Sequence, residues 1–242
     1  MRVETGTIVI TCWLGISNVA AIEDQRKPSP VTEAFRFFAG LAEGNSDTEI
    51  LRRLRPSPAP ETHRTRALAD VDPEAVVLPD ANERAKLAAL EAVLIYHERL
   101  HVIEIKLIDV PMAVVGLHDR AAILISRPAT RLLSVPELQA TVAHEIGHEY
   151  FWGDDYVGLR ERHDTDALQV LELKCDGVAV LTLVALGLNP ADLYRATVKI
   201  ARFNDVPNAR WRNNGYPHPR DRERFIRAMV DMTRSTGLAS RR

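Results

Sequence analysis

Residues 142–151, VAHEIGHEYF, constrain this chain more than any other stretch: two histidines stand four apart, a glutamate follows the first, and Val142, Ala143, Ile146 and Gly147 around them are apolar or small. On an α-helix, residues four apart project from nearly the same face. His144 and His148 can therefore each bring a ring nitrogen to one ion, at about 2.0–2.1 Å. Imidazoles buried in so apolar a setting need partners. A metal ion supplies one, and this spacing with an interposed glutamate points to zinc. Glu145 falls on the adjacent side of the helix, placed to take a proton from a metal-bound water instead of occupying the ion. The helix is announced upstream in SVPELQATVAHEIGHEYF: Ser134 stands at the cap, Pro136 in the first turn and Glu137 at the capping-box position.

A catalytic zinc takes three protein ligands and keeps a position for water. Two acids compete for the third place. Asp154 has the spacing of a ligand that follows the second histidine, but Phe151 occupies the place where a glycine turn would swing the chain back. In LELKCDG, Glu172 and Asp176 are four apart and share one face of a long apolar helix, where burying two acids without a task is costly. Glu172 is the better ligand candidate, and Asp176 can accept the outward N–H of a ligand histidine and fix its tautomer. The competing reading is an acidic stripe facing water beside Lys174. Cys175, between the two acids, reads as a small buried hydrophobe.

A length of 242 residues with 46% hydrophobic and 26% charged side chains allows one sizeable core. The formal net charge of -2 gives no general attraction to nucleic acid or anionic lipid. The arginines from Arg210 onward read as a solvated face, because no aromatic platform interleaves them. Two cysteines, Cys12 and Cys175, exclude a disulfide framework and a cysteine-built metal site. Residues 1–25 contain the apolar run IVITCWLGI followed by SNVAA, which reads first as an export signal, next as a membrane anchor and last as an ordinary strand or helix. RPSPAPETHRTRA (55–67) reads as a Pro-rich linker, so residues 26–72 are expected as a helical segment apart from a zinc-binding domain over 73–242. Within that domain one helix is expected over 80–100, capped by Asp80 with Glu83 closing the box. Strands are expected over 102–110 and 121–126, and capped helices from Asp164 or Thr165 and from Asn189. The fold class is α+β, dominated by helices.

HEIGH followed by ELKCD resembles the H-E-x-G-H and E-x-x-A-D elements of the gluzincin metallopeptidases typified by the heat-shock protease HtpX and the type I CAAX prenyl protease, with Cys175 in place of the alanine. AAILISRPATRLLSVPELQATVAHEIGH is similar to that family's edge strand, connecting loop and lead-in helix, and HPRDRERF to its C-terminal element. The likeness covers about residues 79 to 230. It implies a zincin-like domain with a small sheet, one Zn2+ held by His144, His148 and Glu172, Glu145 as general base and Asp176 orienting a ligand. It also implies that His218 and Arg224 line the site and assist the tetrahedral intermediate. The family's asparagine-alanine-phenylalanine segment is not recognisable in MAVVGLHDRAA, and the membrane spans of the best-known members are absent.

The function expected is therefore a zinc metalloendopeptidase acting on peptide or unfolded protein. Strand 121–126 would either hold substrate at a sheet edge or be a plain core strand, the residues fitting both equally, and nucleic acid is not a partner. The protein is expected to be exported or anchored through its N-terminus, or cytoplasmic if the apolar run is not a signal. Two other classes fit the residues: a zinc-stabilised binding or chaperone-like protein without turnover, against which Glu145 argues, and a zinc hydrolase of a non-peptide bond.

Overall fold

The computed structural model describes residues 27–153, 164–204 and 215–239. Its elements run α1 (Pro30–Ala42), α2 (Asp47–Leu54), α3 (Glu61–Ala69), α4 (Ala81–Ala88), α5 (Glu91–Tyr96), β1 (Glu104–Ile108), β2 (Val115–His118), β3 (Ala122–Ser126), α6 (Arg127–Leu132), α7 (Val135–Tyr150), α8 (Thr165–Ala185), α9 (Ala191–Phe203) and α10 (Pro219–Ala239). This is an α+β arrangement in which helices dominate and one small mixed sheet flanks them.

The caps expected at Ser134, Asp80 and Asp164 form, whereas the helix expected from Asn189 has Pro190 at its cap position and no side-chain cap there. Glu137 accepts the backbone N–H of Ser134 at 2.9 Å, Glu83 and Asp80 close a reciprocal box at 3.0 and 2.8 Å, and Asp164 accepts the N–H of Ala167 at 3.1 Å. The helix expected over 80–100 divides into α4 and α5, and the Ala89 carbonyl at the break accepts the side-chain amide of Gln139 at 2.8 Å. An outside donor thus takes a carbonyl that a continuous helix would have used itself.

Helices α7 and α8 cross at the centre. Gly147 makes the crossing close: a Cβ there would lie 2.7 Å from Cys175 Cα and 2.8 Å from its carbonyl oxygen. Backbone cannot yield as a flexible side-chain tip can. Gly147→Ala is therefore expected to force the two helices apart and lower stability by about 1–3 kcal/mol, the usual cost of overpacking. Chemical unfolding of the metal-free protein measures it, and an unchanged midpoint would show that the crossing has slack.

Residues on both sides of the boundary expected near 73 share one core. Ala34, Phe38, Ile50 and Leu51 from α1 and α2 lie in the same buried cluster as Ile146, Leu173 and Val178. Phe38 fits the notch at Gly177 of α8, where a Cβ would come within 2.2 Å of its ring. The presumed linker is also structured. Pro60 leads into α3, which Arg64 ties to the Val102 carbonyl at 3.0 Å and His63 to the Asp119 carbonyl at 3.0 Å. The 26–72 segment is thus part of the main fold from α1 onward, because its apolar face packs on α8 and on Phe225 of α10.

The sheet order is β1-β3-β2, with β1 parallel and β2 antiparallel to β3. Of the two readings of strand 121–126 the core strand is the one found and the edge strand is not: β3 is central and β2 is an edge. The β2–β3 turn spans residues 119–121, with Asp119 and Arg120 at positive φ (43° and 57°) and the Ala121 N–H donating to the His118 carbonyl at 2.9 Å.

Candidate metal centre

The Nε2 atoms of His144 and His148 converge on the Glu172 carboxylate, at 3.4 Å from Oε2 and 3.7 Å from Oε1 respectively. The side chains of His144, Glu145 and His148 also bring their donor atoms within 4.8 Å of one another. Ligand atoms about 2.1 Å from a tetrahedral ion stand about 3.4 Å apart. The two contacts to Glu172 lie near that spacing, each to a different carboxylate oxygen, and the two histidines and Glu172 are donors of the types that zinc takes. His144 and Glu172 are buried, so the acidic-stripe reading of α8 does not hold.

Asp176 is fully buried and its Oδ1 accepts the Nδ1–H of His144 at 2.8 Å, the orienting role read from the sequence. Behind both acids lies Arg222, whose Nη2 donates to Glu172 Oε2 at 3.1 Å and whose Nε makes an ion contact with Asp176 Oδ2 at 2.7 Å. Burial alone would lower the pKa of His144, but its hydrogen bonds to Asp176 and Glu172 outweigh burial and raise it to about 10. For Glu172 burial pushes upward, yet the hydrogen bond from His144 and the charges of His148, His144 and Arg222 bring it to about 2. The two shifts describe one buried ion-paired cluster, in which His144 is favoured as the protonated ring and Glu172 as the carboxylate.

The C-terminal turn of α7, just beyond His148, is also fixed. Glu149 is buried in an ion pair with Arg99 at 2.7 Å and meets Arg120 of the hairpin at 3.2 Å. His97 bridges the Tyr150 hydroxyl at 2.8 Å and Thr182 of α8 at 2.9 Å. These contacts set the rotation of α7, and so the direction in which its histidines point.

The site opens into a cavity of about 630 Å³ between β2 and α9, lined by Val115, Leu117, Trp152, Leu193, Ile200 and Tyr216 as well as the ligand candidates. Glu145 faces it, and its Oε2 accepts the backbone N–H of Leu117 in edge strand β2 at 2.9 Å. The two walls are joined at one end by Asn204, which accepts from Ala113 N at 2.9 Å and donates to Ala113 O at 2.8 Å.

Thus His144, Glu145, His148, Glu172 and Asp176 come together as the sequence suggested, while the two C-terminal candidates do not join them. Arg224 is an exposed side chain paired with Asp221 at 2.9 Å. Arg222 fills the place expected of it, because Arg222, Phe225, Ile226 and Met229 form the inward stripe of α10. That stripe was present in the sequence as an i, i+3, i+4, i+7 pattern and would have selected Arg222. His218 uses Nδ1 to accept the Arg220 N–H at 3.2 Å at the start of α10, and it is not among the residues lining the cavity. Tyr216, two residues earlier, is. Asp154, Cys12 and the residues 1–25 lie outside the described residues.

Comparison with protein-family models and with curated proteins gives no match to this chain. Among the described residues, no helix is long and apolar enough to cross a membrane.

Proposed function

We propose that this chain is a zinc-dependent endopeptidase of zincin-like fold that cuts peptide or unfolded protein chains, exported or anchored through its N-terminus. The observation that carries the reading is that His144 and His148 both turn Nε2 to the Glu172 carboxylate, with Glu145 beside the two histidines and its Oε2 held by the Leu117 N–H. A zinc ion bound there would polarise a peptide carbonyl and lower the pKa of its water toward about 7.

The remaining chemistry belongs to the chain. Glu145 faces the cavity with one oxygen fixed by Leu117 N–H, so it can take a proton from water and return it to the departing amine. Asp176 and Arg222 keep His144 and Glu172 in place from behind. Substrate would lie extended along β2, adding a strand to the edge that faces α7 and α9. This transfers to β2 the holding role expected of β3. The apolar wall of Leu193 and Ile200 would receive its side chains.

The test is cleavage of an unfolded protein by the purified chain. Activity is expected to disappear with a zinc chelator and to return with added zinc. Chelator-resistant cleavage would contradict the proposal. Zinc uptake without cleavage of any unfolded protein or peptide would favour the binding-protein reading.

A further inference from the structure

We infer that Cys175 is a positioning residue for His148: its sulfur accepts the Nδ1–H of that imidazole and so holds the ring with Nε2 turned toward Glu172. The inference rests on the metal reading above and extends it to a residue so far treated as packing.

The two histidines are held in parallel ways. His144 turns Nε2 to Glu172 at 3.4 Å and Nδ1 to Asp176 at 2.8 Å. His148 turns Nε2 to the other oxygen of Glu172 at 3.7 Å and Nδ1 to Cys175 Sγ at 3.4 Å. A neutral imidazole carries one ring proton, so a ring that offers the Nε2 lone pair to an ion carries its proton on Nδ1. Adjacent residues of α8 thus receive the outward N–H groups of the two rings.

The receivers differ in strength. Asp176 is a carboxylate, which orients a histidine and also raises its basicity as a ligand. Cys175 is fully buried, and a cysteine sulfur is a weaker acceptor than a carboxylate. It orients the ring and adds little basicity.

Cys175→Ala removes the acceptor but spares the helix crossing, because the atoms that crowd Gly147 are Cys175 Cα, O and Cβ. Cys175→Ser keeps an acceptor of similar shape. Thermal melts of the metal-free proteins check folding, and competition with a chromophoric chelator gives the zinc affinity. Cobalt(II) in place of zinc reports ligand geometry through its visible spectrum. The alanine variant is expected to bind zinc about 10-fold more weakly, at the low end for loss of a ligand's hydrogen-bond partner, with an altered cobalt spectrum. The serine variant is expected to stay close to wild type in both.

An alanine variant with wild-type affinity and spectrum overturns the inference. So does an equal loss in both variants, which would assign the effect to packing around sulfur. If the alanine variant does not fold, weak zinc binding by a folded serine variant overturns it. Wild-type protein that takes up neither ion would defeat the metal reading itself, a result distinct from the others.

Discussion

Glu145→Gln is expected to leave the fold and metal content near wild type and to reduce proteolysis by about 10³ to 10⁴-fold. The amide is isosteric and can still accept the Leu117 N–H through its oxygen, so the side chain keeps its place. What it loses is the capacity to take a proton. A general base contributes about 10² to 10⁴-fold, and one that both activates water and protonates the amine belongs toward the upper end. Steady-state cleavage of an unfolded protein, with metal analysis of the same sample, measures the effect. A zinc-loaded, folded variant that cuts as fast as wild type would remove Glu145 from the mechanism.

The second large effect is on stability. Arg222 is buried against two acids, Glu172 at 3.1 Å and Asp176 at 2.7 Å. Replacing it by methionine fills much of the space but leaves two buried carboxylates with only the histidines to balance them, and removing one partner from such an arrangement costs about 3–5 kcal/mol. Arg224→Met touches only an exposed pair with Asp221 and is expected to change stability by less than about 0.5 kcal/mol. Denaturant unfolding of both metal-free variants separates the assignments. Equal losses, or the larger loss at Arg224, would mean that α10 is rotated relative to the orientation described.

The parts of this site legible in the sequence are those set within a single helix. His144 and His148 share a face of α7, and Glu172 and Asp176 share a face of α8, by helix periodicity alone. Their meeting depends on Gly147 and Cys175 at the crossing, which joins residues far apart in the chain. Strand β2 went unread because it is four residues long with a glycine inside it, and its turn uses Asp119-Arg120 where Asn-Gly is the usual signal. Strand order is likewise a long-range property, so nothing within AAILIS marks it as central. The prolines of 55–67 misled for a local reason: proline marks helix starts as well as linkers, and Pro60 stands at one. Arg222 and Arg224 differ only in helical phase, which the apolar residues 225, 226 and 229 decide.

Metal stoichiometry tests the central claim most directly. Purified protein, stripped and then dialysed against zinc, is expected to hold one zinc per chain, and His144→Ala, His148→Ala and Glu172→Ala are each expected to lose it, three protein ligands being the usual complement of a catalytic site. Wild-type protein that remains folded but holds no zinc, or a Glu172→Ala variant that binds it as tightly as wild type, would contradict the account.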